Sequence, residues 1–263
     1  MEALLILIVV IVGSVIGTLT GFGLSTVMIP VMVLYYPLPE ALLFVGIIHW
    51  FGDIWKLVLF REGIRWRLIL SFGIPGILAT VLGAALVFRV SATLLSRVLG
   101  IFLIVYVLLL FAKDAFRIRQ SLASGMIGGA LSGFCAGIFG MGGTIRGMFL
   151  LAFNLPKAVY LATAGAIALA VDTSRLIIYV REGTPLNRWL LWGMLLFVPA
   201  SFFGARLAKG AVDKIPQHLF RRIVAAFLLV VGFKLLIFTR SPAQPPDVAE
   251  QTSQVATLGV DSY

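Results

Sequence analysis

The sequence predicts an all-α polytopic membrane protein. It consists of two inverted repeats of about five segments each, with a glycine-broken, half or re-entrant helix in both halves. Three observations predict this. The chain is 60% hydrophobic and 12% charged, with a mean hydropathy of +1.07, a composition suited to a bilayer and not to a soluble domain. Six glycines cluster at 133–147, G-F-C-A-G-I-F-G-M-G-G-T-I-R-G. A related stretch stands at 13–30, G-S-V-I-G-T-L-T-G-F-G-L-S-T-V-M-I-P.

Glycine costs about 1 kcal/mol against alanine inside a helix, so each cluster predicts a helix that stops and restarts. Backbone amides freed at membrane depth must face protein or a polar cavity. Small residues also let helices pack closely in bilayers. That simpler reading suits glycines four apart, such as Gly133 and Gly137. The tight G-M-G-G turn beside Arg146 suits a binding site better.

The two stretches belong to a duplicated unit. Setting Gly21 and Gly23 on Gly140 and Gly142 places Ser25 on Thr144, Asp53 on Asp172 and Lys56 on Arg175. R-E-G at 61–63 recurs at 181–183, and L-P-E-A at 38–41 recurs as L-P-K-A at 155–158. The expected division is a first transmembrane repeat at 1–120, a second at 121–240, and a disordered polar tail at 241–263. Duplicated halves with breaks in corresponding places point to the binding site of a secondary transporter.

In chain order, apolar segments cover about 3–20, 22–36, 40–60, 67–88, 92–112, 122–139, 142–154, 157–180, 188–208 and 219–238. The first is expected to be a retained span, because Glu2 is the only charge before it and no small-residue cleavage site follows. The second and seventh are short and follow the glycine clusters. Pro37, Pro39 and Pro156 mark boundaries. Pro75 and Pro199 fall inside longer segments and predict kinks. Trp66, Trp189 and Tyr179 lie near segment ends, where amphipathic rings favour the headgroup layer.

If all ten segments cross, twelve basic residues fall on one side, among them Arg61, Arg65, Arg67 and Lys209. Five fall on the other: Arg89, Arg97, Arg181, Arg188 and Arg240. Eight crossings would divide them almost evenly. The positive-inside rule favours ten. Five crossings per half invert the halves with respect to each other and put both termini away from the cytoplasm.

The net charge of +10 does not indicate nucleic acid, since the bases sit in short loops. The lone Cys135 has no disulfide partner and reads as a packing residue. No cofactor or metal is expected. The expected setting is the cell (inner) membrane, with the lipid bilayer and a small anionic substrate as partners. A homodimer is compatible with the sequence.

Few ionisable residues lie deep in the segments, and such residues normally line a cavity or pair with one another. His49, Asp53 and Lys56 share one helix face, and Asp172 and Arg175 share another. These are either structural ion pairs, with Lys56 and Arg175 also able to snorkel, or proton-coupling and anion-contacting groups. His49 has no counterpart, since Ala168 occupies its place. It is either a proton carrier or a packed residue. Arg146 follows the restarting helix, where free N–H groups and the dipole favour an anion. Its planar donor fork suits carboxylate, phosphate or sulfonate oxygens. The expected substrate-binding set is Gly21, Gly23, Ser25, Thr26, Gly140, Gly142, Gly143, Thr144 and Arg146.

These residues resemble the sulfite exporter TauE/SafE family of membrane transporters over about residues 3–238. The resemblance rests on the duplicated G-x-G-G-G motif, followed by an apolar run and proline, and on the L-P-x-A element. Here G-M-G-G-T at 140–144 carries Thr144 for the last glycine, and G-F-G-L-S at 21–25 is a looser match. Pro30 stands at the family's proline position and Phe149 replaces it in the second half. The resemblance implies transport, in the direction of export, of small sulfur-containing anions such as sulfite or organosulfonates, without selecting one of them.

Two other readings compete with an anion transporter. One is a membrane scaffold or assembly protein without transport. The other is an intramembrane serine hydrolase using Ser25, His49 and Asp53. Against it, G-F-G-L-S-T is not a nucleophile elbow, so no catalytic residue is expected.

Overall fold

The computed structural model describes residues 2–60, 63–111, 121–151, 153–211 and 228–237. It is all-helical over these residues. The helices are α1 (Glu2–Thr20), α2 (Ser25–Met32), α3 (Leu38–Leu59), α4 (Trp66–Val87), α5 (Ala92–Phe111), α6 (Leu122–Phe139), α7 (Gly143–Leu151), α8 (Lys157–Arg181) and α9 (Arg188–Ala211). A shorter apolar helix, α10 (Leu228–Ile237), follows. Six helices (α1, α3, α4, α6, α8 and α9) are long and apolar enough to cross a membrane. The expected polar tail at 241–263 lies outside the described residues.

The glycine clusters interrupt helices where the sequence places the breaks. Gly21 has φ +75° and Gly140 has φ +67°, a region that excludes most side chains. Pro37 and Pro156 cap α3 and α8 with nearly identical backbones, φ −52° with ψ 142° and 143° respectively. Gly142, by contrast, does not have a positive φ. Close approach explains that glycine: a methyl there would lie 2.1 Å from the Ser132 carbonyl oxygen.

Each short helix doubles back along the long one before it. A methyl on Gly13 of α1 would meet Leu24 and Met28, and one on Gly128 of α6 would meet the Phe149 ring. With 8 and 9 residues, α2 and α7 are about 12 and 13 Å long. Neither can cross ~30 Å of hydrocarbon alone. The reversal is compatible with the ten-segment count, but the two short segments are too short to be full spans.

Contacts at the helix ends agree with that reversal. Tyr36 donates its hydroxyl to Glu2, so the chain has returned to the start of α1. The Asn187 amide donates to Glu40 at 2.9 Å. At the other end of α3, the Arg65 amide donates to Thr163 at 3.4 Å and Lys209 donates to the Leu59 carbonyl at 2.8 Å. Loops 63–65 and 187 thus lie at opposite ends of α3.

The main helix contacts correspond when the two halves are exchanged. α1 packs on α9 as α6 packs on α4; α3 packs on α9 as α8 packs on α4; and α3 packs on α8. The α4–α6 contact is backbone against backbone. Methyls on Gly129, Gly133 and Gly137 would fall 2.1–2.3 Å from carbonyl oxygens of α4, so α6 cannot sit where it does with larger residues. Gly133 and Gly137 are thus close-packing glycines, as their spacing suggests.

The apolar exterior faces where lipid would be. Trp66 and Trp189 are exposed at helix starts, as expected of headgroup anchors, but Tyr179 is fully buried. Its hydroxyl donates to the Gly137 carbonyl instead. α4 and α9 run through Pro75 and Pro199.

Candidate functional site: two glycine turns and a buried charge network

The two glycine turns meet inside the bundle. A methyl on Gly143 would fall 1.7 Å from the Phe22 carbonyl oxygen, so the first turn lies directly against the start of α7. Gly21 abuts the Tyr160 ring and hydroxyl, and Gly23 abuts Nε2 of His49. Gly140 abuts the Arg175 guanidinium, 2.7 Å from a methyl position to Nη1. Four sequence-expected glycines therefore touch four polar side chains or backbone groups from other elements of the bundle.

The ionisable residues of α3 and α8 form one buried chain. Lys56 donates to Asp53 at 2.8 Å, and Arg175 donates through Nε to Asp172 at 2.9 Å. His49 joins the pairs: its Nδ1 is hydrogen-bonded to Asp172 and lies 3.7 Å from Asp53. All five are at most 4% exposed. Lys56 and Arg175 do not snorkel, because each is held inward by its aspartate. The i,i+3 pairs were visible as spacing; the link between halves through His49 was not.

Donor atoms of His49, Asp53 and Asp172 lie within 4.8 Å of one another, a spacing that could hold a metal ion. Lys56 and Arg175 already match these two carboxylates, so the cluster is balanced as an ion-pair network without a cation. Nor does the geometry build a triad. His49 Nε2 has no hydrogen-bond partner, so Ser25 is not bonded to the base that would activate it.

Two buried guanidiniums have unused donors. Arg146, 3% exposed, makes no ion pair with any described residue, and its Nε–H is unpartnered. Arg175 uses Nε on Asp172, while both of its terminal nitrogens are unpartnered. A buried donor without a partner costs about 1–3 kcal/mol, more if charged.

The hydroxyl of Tyr160 is also buried and unpartnered, and the Arg146 charge acts on it. Sequence reading missed Tyr160, an aromatic among apolar residues whose only signal is its place at the start of α8, just after the proline cap. Ser25 and Thr26 are buried at the start of α2, and Thr26 shares a 3.3 Å hydrogen bond with Tyr106. The Thr144 side chain lies outside what is described.

The family described as sulfite exporter TauE/SafE matches residues 5–235, from within α1 to within α10. A search of curated proteins found no match.

Proposed function

The chain belongs to the sulfite exporter TauE/SafE family, and from that premise we propose that it exports small sulfur-containing anions, such as sulfite or organosulfonates, across the cell (inner) membrane. The anion binds between the two glycine turns. Arg146 supplies the charge, and the Tyr160 hydroxyl and the amides of Gly142 and Gly143 add neutral donors. The first turn, Gly21 to Thr26, faces them. The two halves, 1–120 and 121–240, are inverted repeats that rock against each other around this site.

The single observation behind this reading is the Arg146–Tyr160 pair. Arg146 and Tyr160 are buried, the Arg146 Nε–H and the Tyr160 hydroxyl lack partners, Tyr160 lies against Gly21 of the first turn, and Arg146 stands in the first turn of α7 beside the second. A tetrahedral oxyanion would accept from the guanidinium fork and the hydroxyl together.

The test is calorimetry on purified protein with sulfite, sulfate, thiosulfate, taurine and sulfoacetate. Arg146→Ala is expected to weaken binding about tenfold to a hundredfold while the protein stays folded, and Arg146→Lys to weaken it less, by losing the fork. Wild-type affinity in Arg146→Ala would move the site elsewhere.

A further inference from the structure

We infer that the protein moves a proton together with its anion, and that the His49 imidazole carries it; the inference rests on the transport reading above. The tautomer comes first. A carboxylate only accepts hydrogen bonds, and Nδ1 faces Asp172 and Asp53. Nδ1 therefore bears the hydrogen, and the ring's lone pair is on Nε2. That nitrogen is buried and has no partner.

The second observation is a cavity. His49 lines it with Ser14 and Thr18 of α1, Lys56 of α3, and Ser201 of α9. Its space of about 10 Å³ is near what one water needs. Ser14 Oγ is also buried and unpartnered. An orphan lone pair and an orphan hydroxyl around a water-sized polar space are what a bridging water satisfies. A water there gives Nε2 a proton donor and acceptor between α1, α3 and α9.

Charge decides what a proton does there. The titratable or charged groups facing the ring are Asp53 and Lys56 from α3 and Asp172 from α8, with Arg175 behind it. α1, the first glycine turn and α9 present Ser14, Thr18, Gly23, Leu24 and Ser201, none of which titrates near neutrality. With the ring neutral, two aspartates balance two cations. When an O–H of a hydrated proton breaks and an Nε2–H forms, the ring becomes imidazolium and the cluster gains one positive charge. Release returns that proton to water as the N–H breaks.

The geometry couples this charge to the anion. Gly23 abuts Nε2, and Gly21, two residues away, abuts Tyr160. Proton and anion therefore sit against the same short turn, with opposite charge. Each favours the other's binding by the same factor, since binding linkage is reciprocal. The consequence is movement of proton and anion in the same direction, outward when the anion gradient exceeds the opposing proton gradient and inward under an imposed acid gradient.

The test uses full-length protein in liposomes with a trapped pH dye, and sulfate, thiosulfate and sulfoacetate as probes, whose charge is fixed near neutrality. In the wild type, anion entry is expected to acidify the lumen. His49→Asn and His49→Gln should lose about tenfold more of their acid-driven uptake than of their anion–anion exchange. Acid-driven uptake at the wild-type level in both variants overturns the inference. So does an equal loss of uptake and exchange in protein of unchanged thermal stability, which would make His49 an anion ligand. If the wild type exchanges none of the probes, the transport reading fails, and ¹⁵N imidazole spectra decide the His49 inference separately. With His218→Gln removing the other histidine, a His49 ring that gains a proton at Nε2 on acidification supports the carrier. One that keeps its lone pair down to about pH 5 overturns it.

Discussion

His49 of α3 and Asp172 of α8 are hydrogen-bonded to each other although 123 residues separate them. Through this bond the Asp53–Lys56 pair of one half and the Asp172–Arg175 pair of the other become one network. Asp172 is its central member, since it accepts from both His49 and Arg175.

Asp172→Ala should therefore destabilise the protein strongly. Removing one partner of a buried ion pair strands the other and costs about 3–5 kcal/mol. The double change Asp172→Leu with Arg175→Leu should cost less than Asp172→Ala alone. Unfolding midpoints of the purified variants in detergent check this. A double variant less stable than the single one would mean that packing, and not the stranded charge, sets the loss.

Gly143→Ala and Gly133→Ala should both prevent a stable fold. Their methyls would fall 1.7 Å from the Phe22 carbonyl oxygen and 2.1 Å from the Gly76 carbonyl oxygen, and backbone cannot turn aside as a side chain can. Gly73→Ala is the control. It lies in α4 with nothing within 4 Å of the added methyl, so helix propensity should leave it neutral or stabilise it by about 0.5–1 kcal/mol. Monodisperse yield and melting temperature report the difference.

Ile64 and Glu182 are exposed in loops near opposite ends of α3. With Cys135 replaced by serine, Ile64→Cys and Glu182→Cys should differ in labelling by an impermeant maleimide in intact cells. The 182 site is expected to label and the 64 site to be protected, as the base distribution requires. Equal labelling of the two would sink the inverted arrangement.

Tyr160→Phe removes one hydroxyl and nothing else. If that hydroxyl donates to the anion, affinity should fall about twofold to tenfold, the range of one neutral hydrogen bond. Arg146→Ala should cost more, since charged donors contribute about 1.5–3 kcal/mol. Titration calorimetry with sulfite and sulfoacetate gives both values, and an unchanged affinity in Tyr160→Phe would remove the hydroxyl from the site.

The sequence by itself determined the helical, membrane-spanning class and the places where helices break. Hydropathy is a local property, and so is the intolerance of helices for clustered glycine at 21–23 and 140–143. It also determined the i,i+3 ion pairs, because helical spacing alone puts Asp53 beside Lys56 and Asp172 beside Arg175. The reversal of the chain at each break was legible only indirectly, through the distribution of loop bases.

What the tertiary structure decided depends on residues far apart in the chain. Nothing within α3 says that His49 turns towards Asp172, because that bond exists only once α3 and α8 pack. Tyr160 reads as one more apolar residue until Gly21 is seen against it. Gly133 and Gly142 look like a spacer and a turn residue, yet both are required because a carbonyl oxygen from elsewhere comes too close for a methyl. Close approach, burial and the absence of a partner are properties of the assembled bundle, which is why the polar groups assigned here to anion and proton emerge only there.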